Sequence, residues 1–447
     1  MGKGGVDNAR NGDGPTDGPP DACAPQSPSR LFRGTTAMLF SVVAMGLGGL
    51  AFNAFAARYV SVEELGVQAS LFFWITLINQ LTSMGLPVLV ARLDLAPTQR
   101  EASGMLLWSF LVTIGSSIIG TIIFAVVAGP QLRSATYDAL TIWGPAVGVG
   151  LMAAVVAGLS LVLLVEIRLV ALGLGKFVVL RAVVVNVVRC IMVLVPALRG
   201  SPLALLMLNT GVNAASGVLC AVLLARDAWR RVGARLTTHL SNVIPEARFA
   251  GVNWIGTMAV QGPVVGFPVM ANLTAAENGA FYLAWLIMAV VFVVPVTMSH
   301  VIVIEGSANA ANRRTALVRG LLWSLALTGT IAAGAFALAE PSTNLLFGAG
   351  YDTTVEVLPI LLAAGLPWSV TTMLLARARV DGDGPATALI TAGFGIFAVM
   401  AGLWFTREDP VSSARAWFGA NLAAAVAAGV STIVLDRWRA ARSMLLR

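Results

Sequence analysis

Arg189 is the deepest charge in any apolar run of this sequence, near the middle of residues 177–198. A charge at that depth of a membrane helix costs roughly 2.5–3.5 kcal/mol. Facing a water-filled cavity, its guanidinium would attract an anionic group such as a diphosphate. Asn186 and Arg181 share the same helical stripe. The alternative is a structural arginine that donates to neighbouring carbonyls, and the sequence leaves both interpretations open.

Amide side chains occur inside several other apolar runs. Each costs free energy in hydrocarbon unless it meets protein or water. Most are expected to join helices by hydrogen bonds, and the others would line a cavity, where amides and the indole of Trp254 suit sugar hydroxyls. This set comprises Asn53, Asn79, Gln80, Asn209, Asn213, Asn253 and Gln261. With Trp254 and the Arg189 stripe, they are the candidate substrate-binding residues.

Ion coupling has one candidate pair. His300 lies near the end of an apolar run, five residues before Glu305. The pair could relay protons; the alternative is a helix-end histidine that is hydrogen-bonded locally. No Asp or Glu lies deep inside an apolar run, whereas cation-driven exporters usually need buried carboxylates.

Other chemistries find no support in the residues. There is no P-loop for nucleotide hydrolysis, and no cluster of Asp, Glu and His in an outer loop for glycosyl transfer. Cys23, Cys190 and Cys220 fit no metal or disulfide spacing. The sequence therefore predicts neither an enzyme nor a bound metal or other cofactor.

The composition determines which elements hold these side chains. Of 447 residues, 57% are hydrophobic and 11% are charged, and the mean hydropathy is +0.83. Soluble proteins carry about 25% charged residues, so the chain is predicted to be an integral membrane protein. Its apolar runs suit helices and not barrel strands, which predicts an all-α polytopic fold. The net charge of +7 is explained by basic cytoplasmic loops and predicts no nucleic-acid partner.

We count twelve apolar runs long enough to span a membrane. With both termini inside, the inner segments hold 23 Lys and Arg residues and the outer loops hold 5. This bias predicts a multi-pass protein of the cell membrane with both termini cytoplasmic. The predicted spans are 36–57, 67–91, 104–128, 141–165, 177–198, 202–225, 249–272, 280–304, 317–339, 355–376, 386–406 and 413–435.

A repeat divides the chain into two halves. Ser61, Glu64 and Gly66 match Thr274, Glu277 and Gly279 at an offset of 213 residues. Six spans per half keep both halves in one orientation, so the repeat is parallel, about a pseudo-two-fold axis along the membrane normal. The predicted segments are a disordered cytoplasmic tail (1–33), an N-terminal six-helix lobe (34–225), a basic cytoplasmic linker (226–248), a C-terminal six-helix lobe (249–436) and a basic cytoplasmic tail (437–447).

Three stretches resemble a known superfamily. Residues 56–66 read AARYVSVEELG, residues 278–284 read NGAFYLA, and residues 345–351 read LLFGAGY ahead of VLPIL at 357–361. These resemble motifs of polysaccharide flippases in the multidrug/oligosaccharidyl-lipid/polysaccharide (MOP) exporter superfamily. The chain lacks the two further C-terminal spans of peptidoglycan-precursor flippases, so the resemblance favours the branch of O-antigen flippases.

The resemblance implies two six-helix lobes in a V around a central, often cationic cavity, with alternating access by rocking of the lobes. It implies a lipid-linked oligosaccharide, carried on a polyprenyl diphosphate, as cargo moved from the inner to the outer leaflet for cell-surface polysaccharide synthesis. Membrane lipids, a polysaccharide polymerase and glycosyltransferases are the implied partners. In the alternatives, the chain is a drug exporter of the same superfamily, a membrane glycosyltransferase or polymerase, or a structural subunit of an export complex.

Overall fold

The computed structural model of the chain describes residues 28–91, 93, 99–127, 134–142, 144–196, 201–232, 240–308, 313–348, 350–405 and 409–445. All regular secondary structure in these ranges is helical, which confirms the predicted all-α fold. Residues 1–27 of the predicted tail and 233–239 of the predicted linker lie outside these ranges.

The helices form two groups, each packed mainly on itself. The N-lobe comprises α1 (Pro28–Ala57), α2 (Val62–Thr82), α3 (Leu86–Ala91), α4 (Gln99–Val127), α5 (Ser134–Thr141), α6 (Pro145–Ala171), α7 (Gly175–Met192), α8 (Pro202–Leu206) and α9 (Val212–Val232). The C-lobe comprises α10 (Leu240–Met270), α11 (Ala275–Ala308), α12 (Arg313–Phe347), α13 (Asp352–Ala363), α14 (Gly365–Val380), α15 (Gly384–Trp404) and α16 (Pro410–Leu445). The lobes meet where α2 packs on α10 and α11, and where α1 packs on α11.

Ten of the twelve predicted spans correspond to helices that, within the described residues, are long and apolar enough to cross a membrane. In that count, α8 and α9 form one span, as do α13 and α14. The other two predicted spans, 177–198 and 249–272, are the helices α7 and α10. The α7 helix has only 18 residues, of which Lys176, Arg181 and Arg189 are charged. Its stability in a membrane therefore depends on how its arginines are partnered.

The predicted span 67–91 is not one continuous helix. The α2 helix ends at Thr82, and Met84 and Gly85 have φ values of 47° and 72°. An α-helix cannot continue through left-handed backbone. A glycine also suits the close packing at this bend, because a Cβ at Gly85 would lie 2.1 Å from the carbonyl oxygen of Ala250 on α10.

Two other predicted spans are interrupted as well. A π-helical turn, Met207–Gly211, separates α8 from α9 inside the predicted span 202–225. Ala364 separates α13 from α14 inside the predicted span 355–376. The last helix, by contrast, continues to Leu445 through most of the predicted tail.

The repeat appears as two matching helix starts. At the start of α2, the backbone N–H of Ser61 donates to Glu64 Oε2 at 3.0 Å, and that of Glu64 donates to Ser61 Oγ at 3.2 Å. Thr274 and Glu277 form the same reciprocal bonds at the start of α11, at 2.9 and 3.5 Å. Both sites are capping boxes. We call the end of the bundle that carries them the capped end.

Candidate functional site

The candidate site is built around Arg189, in the last turn of α7. Its side chain is 4% exposed. Nη2 donates to the carbonyl oxygen of Met45 on α1 at 3.1 Å, and Nη1 donates to Asn209 Oδ1 at 3.2 Å and to the Asn209 carbonyl oxygen at 3.4 Å. The guanidinium also lies 6.0 Å from the centre of the Phe52 ring. In this conformation, Arg189 is a buried cation held by carbonyls and one amide.

Asn209 can reach Arg189 because it lies in the π-helical turn Met207–Gly211. Such turns widen a helix locally and are frequent at functional sites. Both oxygens of Asn209 accept from Arg189, while its Nδ2 donates to the hydroxyl of Tyr282 at 3.3 Å. Asn209 therefore links the N-lobe arginine to a C-lobe tyrosine.

Tyr282 completes the network from α11 and is fully buried. Its hydroxyl also accepts from Asn53 Nδ2, at 3.4 Å, and Asn53 Nδ2 in turn bonds to the Gly49 carbonyl at 2.8 Å. Phe72 and Phe73 of α2 meet the Tyr282 ring edge-on, with ring centres 5.6 and 5.4 Å away. We call Asn53, Arg189, Asn209 and Tyr282 the interlobe network.

The interlobe network contains a cation without a matching anion. Among the described residues, Arg189 forms no ion pair, and none of the Asp or Glu side chains is as deeply buried. Its Nε and the Asn53 Oδ1 are buried without a hydrogen-bond partner. A buried charge that is only partly satisfied favours any ligand that brings a negative charge.

The Arg181 guanidinium, two turns earlier on α7, is neutralised within the N-lobe, although its Nε, like that of Arg189, is buried without a hydrogen-bond partner. Arg181 pairs with Glu166 of α6 through its Nη2, and its Nη1 donates to Asn213 Oδ1 at 2.7 Å and Ser216 Oγ at 2.9 Å on α9. Asn186, predicted on the same stripe, donates instead to the Ala44 carbonyl oxygen at 2.8 Å. Thus Arg181 and Arg189 occupy different environments, one neutralised and one not.

The remaining predicted residues lie outside the interlobe network. Ser160 Oγ donates to Asn79 Oδ1 at 2.5 Å, which joins α6 to α2, and Trp254 Nε1 donates to the Gln80 carbonyl oxygen at 3.3 Å, which joins α10 to α2. The Asn79 amide thus joins two helices, whereas the contact at Gln80 involves its backbone and not its side-chain amide. Asn253 and Gln261 are half-buried on α10. His300 and Glu305 lie on α11, but their side chains fall outside the described part of the structure.

The lobes are closed against each other at the capped end. A Cβ at Gly66 would lie 1.6 Å from the Ala275 carbonyl oxygen, and a Cβ at Gly279 would lie 2.4 Å from that of Val62. Asn278 Nδ2 donates to the Gly66 carbonyl oxygen at 3.0 Å. Two glycines at matching positions of the repeat therefore let α2 and α11 cross backbone to backbone.

Two further contacts seal this end. The Tyr351 hydroxyl donates to the Ala57 carbonyl oxygen at 3.4 Å, and the Arg58 guanidinium donates to the Leu345 carbonyl oxygen. Both join the end of α1 to the C-lobe near the start of α13. Opening the capped end requires all of these contacts to break together with the bonds to Tyr282.

Sequence reasoning missed Tyr282 as a site residue. The residue lies inside the stretch 278–284, which served only as a marker of the fold. One signal was available, because a tyrosine buried in an apolar run needs a hydrogen-bond partner for its hydroxyl. That its partners come from the other lobe is a tertiary fact, which the spacing of residues does not carry.

Solved structures reveal what the chain is similar to, whereas no protein-family model and no curated protein matches it. The lipid II flippase MurJ, in an inward closed conformation, is 12% identical over 88% of this chain and 87% of that chain, with a TM-score of 0.65. A multidrug resistance MATE family transporter of the MOP superfamily, in an inward-facing conformation, is 15% identical over 90% of this chain and 98% of that chain, with a TM-score of 0.62. A MATE transporter in an outward-facing conformation is 15% identical over 92% and 96% of the two chains, with a TM-score of 0.58. The chain therefore has the fold of the MOP superfamily transporters, as its sequence motifs predicted.

Proposed function

We propose that this chain is a flippase that moves an oligosaccharide linked to a polyprenyl diphosphate from the inner to the outer leaflet. The observation that carries the proposal is Arg189, a buried guanidinium that forms no ion pair within the described residues. A diphosphate would supply the missing negative charge through bidentate, charge-assisted hydrogen bonds. The lipid II flippase among the similar structures carries a lipid-linked cargo by its name.

The physical task explains why such a cargo needs a protein. A diphosphate with attached sugars cannot enter hydrocarbon without losing the hydration of its charges and hydroxyls. A polar cleft between two lobes would hold the head group while the prenyl tail stays in the bilayer. In this proposal, Arg189 meets the diphosphate, and the Oδ1 atoms of Asn53 and Asn186, which have no hydrogen-bond partner among the described residues, accept from sugar hydroxyls.

The closed capped end assigns an inward-facing conformation in this proposal. The basic loops predict that both termini, and hence the opposite end, face the cytoplasm. The lobes are closed at the capped end, so the present state is proposed to admit cargo from the inside.

Drug export by the same fold is the second candidate, because MATE transporters are among the similar structures. A cationic drug would require an acidic binding region. Among the described residues, Glu166 is a carboxylate in contact with the α7 stripe, and Arg181 already neutralises it. The charge of the interlobe network therefore favours an anionic cargo.

The proposal also implies partners in the cell membrane. Glycosyltransferases would act before this step, and a polysaccharide polymerase would act after it.

The test of the proposal combines a gene deletion with charge variants. In cells lacking the gene, we expect a diphosphate-linked oligosaccharide to accumulate in the lipid extract and the surface polymer to disappear. When it is expressed in these cells, Arg189→Gln should correct neither defect, although the protein is present at normal levels. Arg189→Lys should correct both defects in part. Arg319→Gln, which removes an exposed arginine, is the matched control and should restore both.

Two outcomes would count against the proposal. If Arg189→Gln corrected both defects fully, the Arg189 guanidinium would have no role in cargo binding. Unchanged lipids together with new sensitivity to toxic cations would favour drug export.

A further inference from the structure

Tyr282 connects two events that transport must coordinate. Its hydroxyl accepts hydrogen bonds from Asn53 on α1 and from Asn209 beside α9, while its backbone belongs to α11 of the other lobe. The Asn209 side chain that donates to Tyr282 is the same one whose oxygen accepts from Arg189. One amide thus lies between the candidate anion-binding group and a contact that holds the lobes together.

We propose that Tyr282 is the residue that couples anion binding at Arg189 to opening of the capped end. This inference rests on the proposed function and adds the mechanism by which an occupied site is sensed. A phosphate that takes the Nη1 donor of Arg189 displaces the Asn209 oxygens from it. The amide then loses the partner that fixes its orientation, and Nδ2 no longer donates to Tyr282. When the site is filled, the closed state therefore loses one of the two hydrogen bonds that Tyr282 accepts, and it keeps the bond from Asn53.

The energetics give the coupling its sign. A hydroxyl in a fully buried position contributes to the closed state only while its partners are present, and an orphaned polar group destabilises that state. Anion binding and closure of the capped end hence oppose each other, and the opposition is reciprocal, since closing must weaken anion binding by the same factor. An empty transporter stays closed at this end, and a loaded one opens.

The surroundings of Tyr282 allow its hydroxyl to be removed alone. Phe72 and Phe73 pack edge-on against the ring, and a phenylalanine at position 282 would keep both contacts. Tyr351 offers a matched control, because its hydroxyl also bonds across the lobes at the capped end, to the Ala57 carbonyl oxygen. That bond includes no member of the interlobe network, so Tyr351→Phe removes a closing contact without touching the proposed coupling.

The experiment measures lobe separation in the full-length protein in lipid nanodiscs. Spin labels replace two exposed residues of the capped end, Tyr137 on α5 and Asp352 on α13. The background carries serine at the three cysteines, Cys23, Cys190 and Cys220. Inorganic pyrophosphate is the probe, and its affinity is measured separately by calorimetry. The distance distribution between the labels, with and without the probe, reports opening.

In the wild-type background, pyrophosphate should increase the population with long distances. Tyr282→Phe should raise that population about tenfold relative to the closed form without the probe, as expected for roughly one net hydrogen bond lost. Pyrophosphate should then produce no further change. Tyr351→Phe should also favour opening without the probe but should keep the response to pyrophosphate. Arg189→Gln should abolish both binding and response.

The outcomes separate this inference from the proposed function. If pyrophosphate binds through Arg189 and still opens Tyr282→Phe as it opens the wild type, the coupling role is wrong and the anionic cargo stands. If pyrophosphate fails to bind the wild type, or binds Arg189→Gln equally well, both proposals are wrong. If Tyr351→Phe loses the response as Tyr282→Phe does, closure at this end responds as a whole and Tyr282 has no special role.

Discussion

The two lobes share a helical plan but fill their interiors differently. The N-lobe buries polar groups, including Arg181, Arg189 and Asn209. The C-lobe buries a continuous aromatic cluster, in which Trp417 lies 5.0 Å from Trp285 between ring centres. The other members of this aromatic cluster are Phe267, Phe281, Phe292, Trp368 and Phe394.

Charge is placed differently as well. In the N-lobe, the Arg181–Glu166 pair lies inside the lobe, with side chains 8% and 14% exposed. In the C-lobe, ion pairs lie where helices end: Arg377 bonds to Asp436 at 2.7 Å, and Arg439 bonds to Asp383 at 2.5 Å. The two halves of the repeat therefore share their helical plan but differ in the side chains that they bury. The C-lobe fills its interior with aromatic rings, whereas the N-lobe holds two buried arginines in its interior.

The largest expected effect comes from the aromatic cluster. Trp417 is fully buried on α16, so Trp417→Ala leaves a cavity that should cost about 3–5 kcal/mol. Thermal unfolding in detergent measures the loss, and transport should disappear along with the folded protein. Trp404→Ala is the control, because that side chain is 66% exposed at the end of α15, and its removal should change stability little.

One outcome of this experiment would contradict the difference drawn between the two lobes. If Trp417→Ala kept its melting temperature but lost transport, the aromatic cluster would belong to the functional site. The interior of the C-lobe would then contribute to transport and not to stability alone.

Much of the fold could be predicted from the sequence because long apolar runs and capping residues act locally. Ser61 with Glu64 and Thr274 with Glu277 marked the repeat in the sequence, and in the structure both pairs form capping boxes at helix starts. The break at Met84 and Gly85 was missed although the sequence carries two helix-breaking residues there, Gly85 and Pro87. The bend is tied to packing of Gly85 on α10, a contact between residues 165 positions apart.

The site was less predictable than the fold. An arginine inside an apolar run can be recognised in the sequence, because burying its charge in hydrocarbon costs free energy. Arg189 and Arg181 were identified in this way. The sequence could not tell which of them is neutralised, since Glu166 lies on another helix. Nor could it pair Asn209 with Tyr282, because the π-helical turn that aims the amide depends on how α8 and α9 pack.

The second effect sharpens the difference in charge placement. Glu166→Gln removes the negative charge beside Arg181 and leaves the buried guanidinium with neutral partners alone, Asn213, Ser216 and the substituted amide. We expect a loss of about 1.5–3 kcal/mol, the range for hydrogen bonds to charged groups in protected positions. The change compared with it in the C-lobe, Asp436→Asn, removes one of the two acidic partners of the half-exposed Arg377, Asp381 being the other, and should cost less than about 1 kcal/mol. Unfolding in detergent compares the two variants.

The double variant Glu166→Gln/Arg181→Gln completes a cycle. It should be more stable than Glu166→Gln alone, because no unpaired charge stays buried. Equal losses for Glu166→Gln and Asp436→Asn would show that water reaches both pairs alike, and the contrast between an inner and an outer charge would fail.

A smaller effect tests a feature that the lobes share. A serine pair joins α4 to α6 through Ser117 and Ser160, and another joins α12 to α14 through Ser324 and Ser369. Ser160→Ala also strips Asn79 Oδ1 of its donor and should cost about 0.5–1.5 kcal/mol. Ser369→Ala leaves no buried amide behind and should cost less. A larger loss for Ser369→Ala would mean that polar contacts stabilise the C-lobe more than its aromatic cluster suggests.

The smallest effect is a pH dependence at the end of the C-lobe opposite the capped end. The hydrogen bond from Arg439, and then the one from the Ala386 backbone amide, holds the pKa of Asp383 below its usual range. A carboxyl whose pKa is lower when folded stabilises the protein above its unfolded pKa, near 4, and this contribution is lost as the pH falls through the folded pKa. Asp383→Asn keeps an N-cap for α15 but removes the charge. The wild type should therefore melt at a higher temperature than the variant at pH 7, and the difference should shrink below about pH 4. If the difference in melting temperature persisted at pH 3, the geometry of the cap and not the charge of Asp383 would explain it. The ion pair at this helix end would then not stabilise the C-lobe.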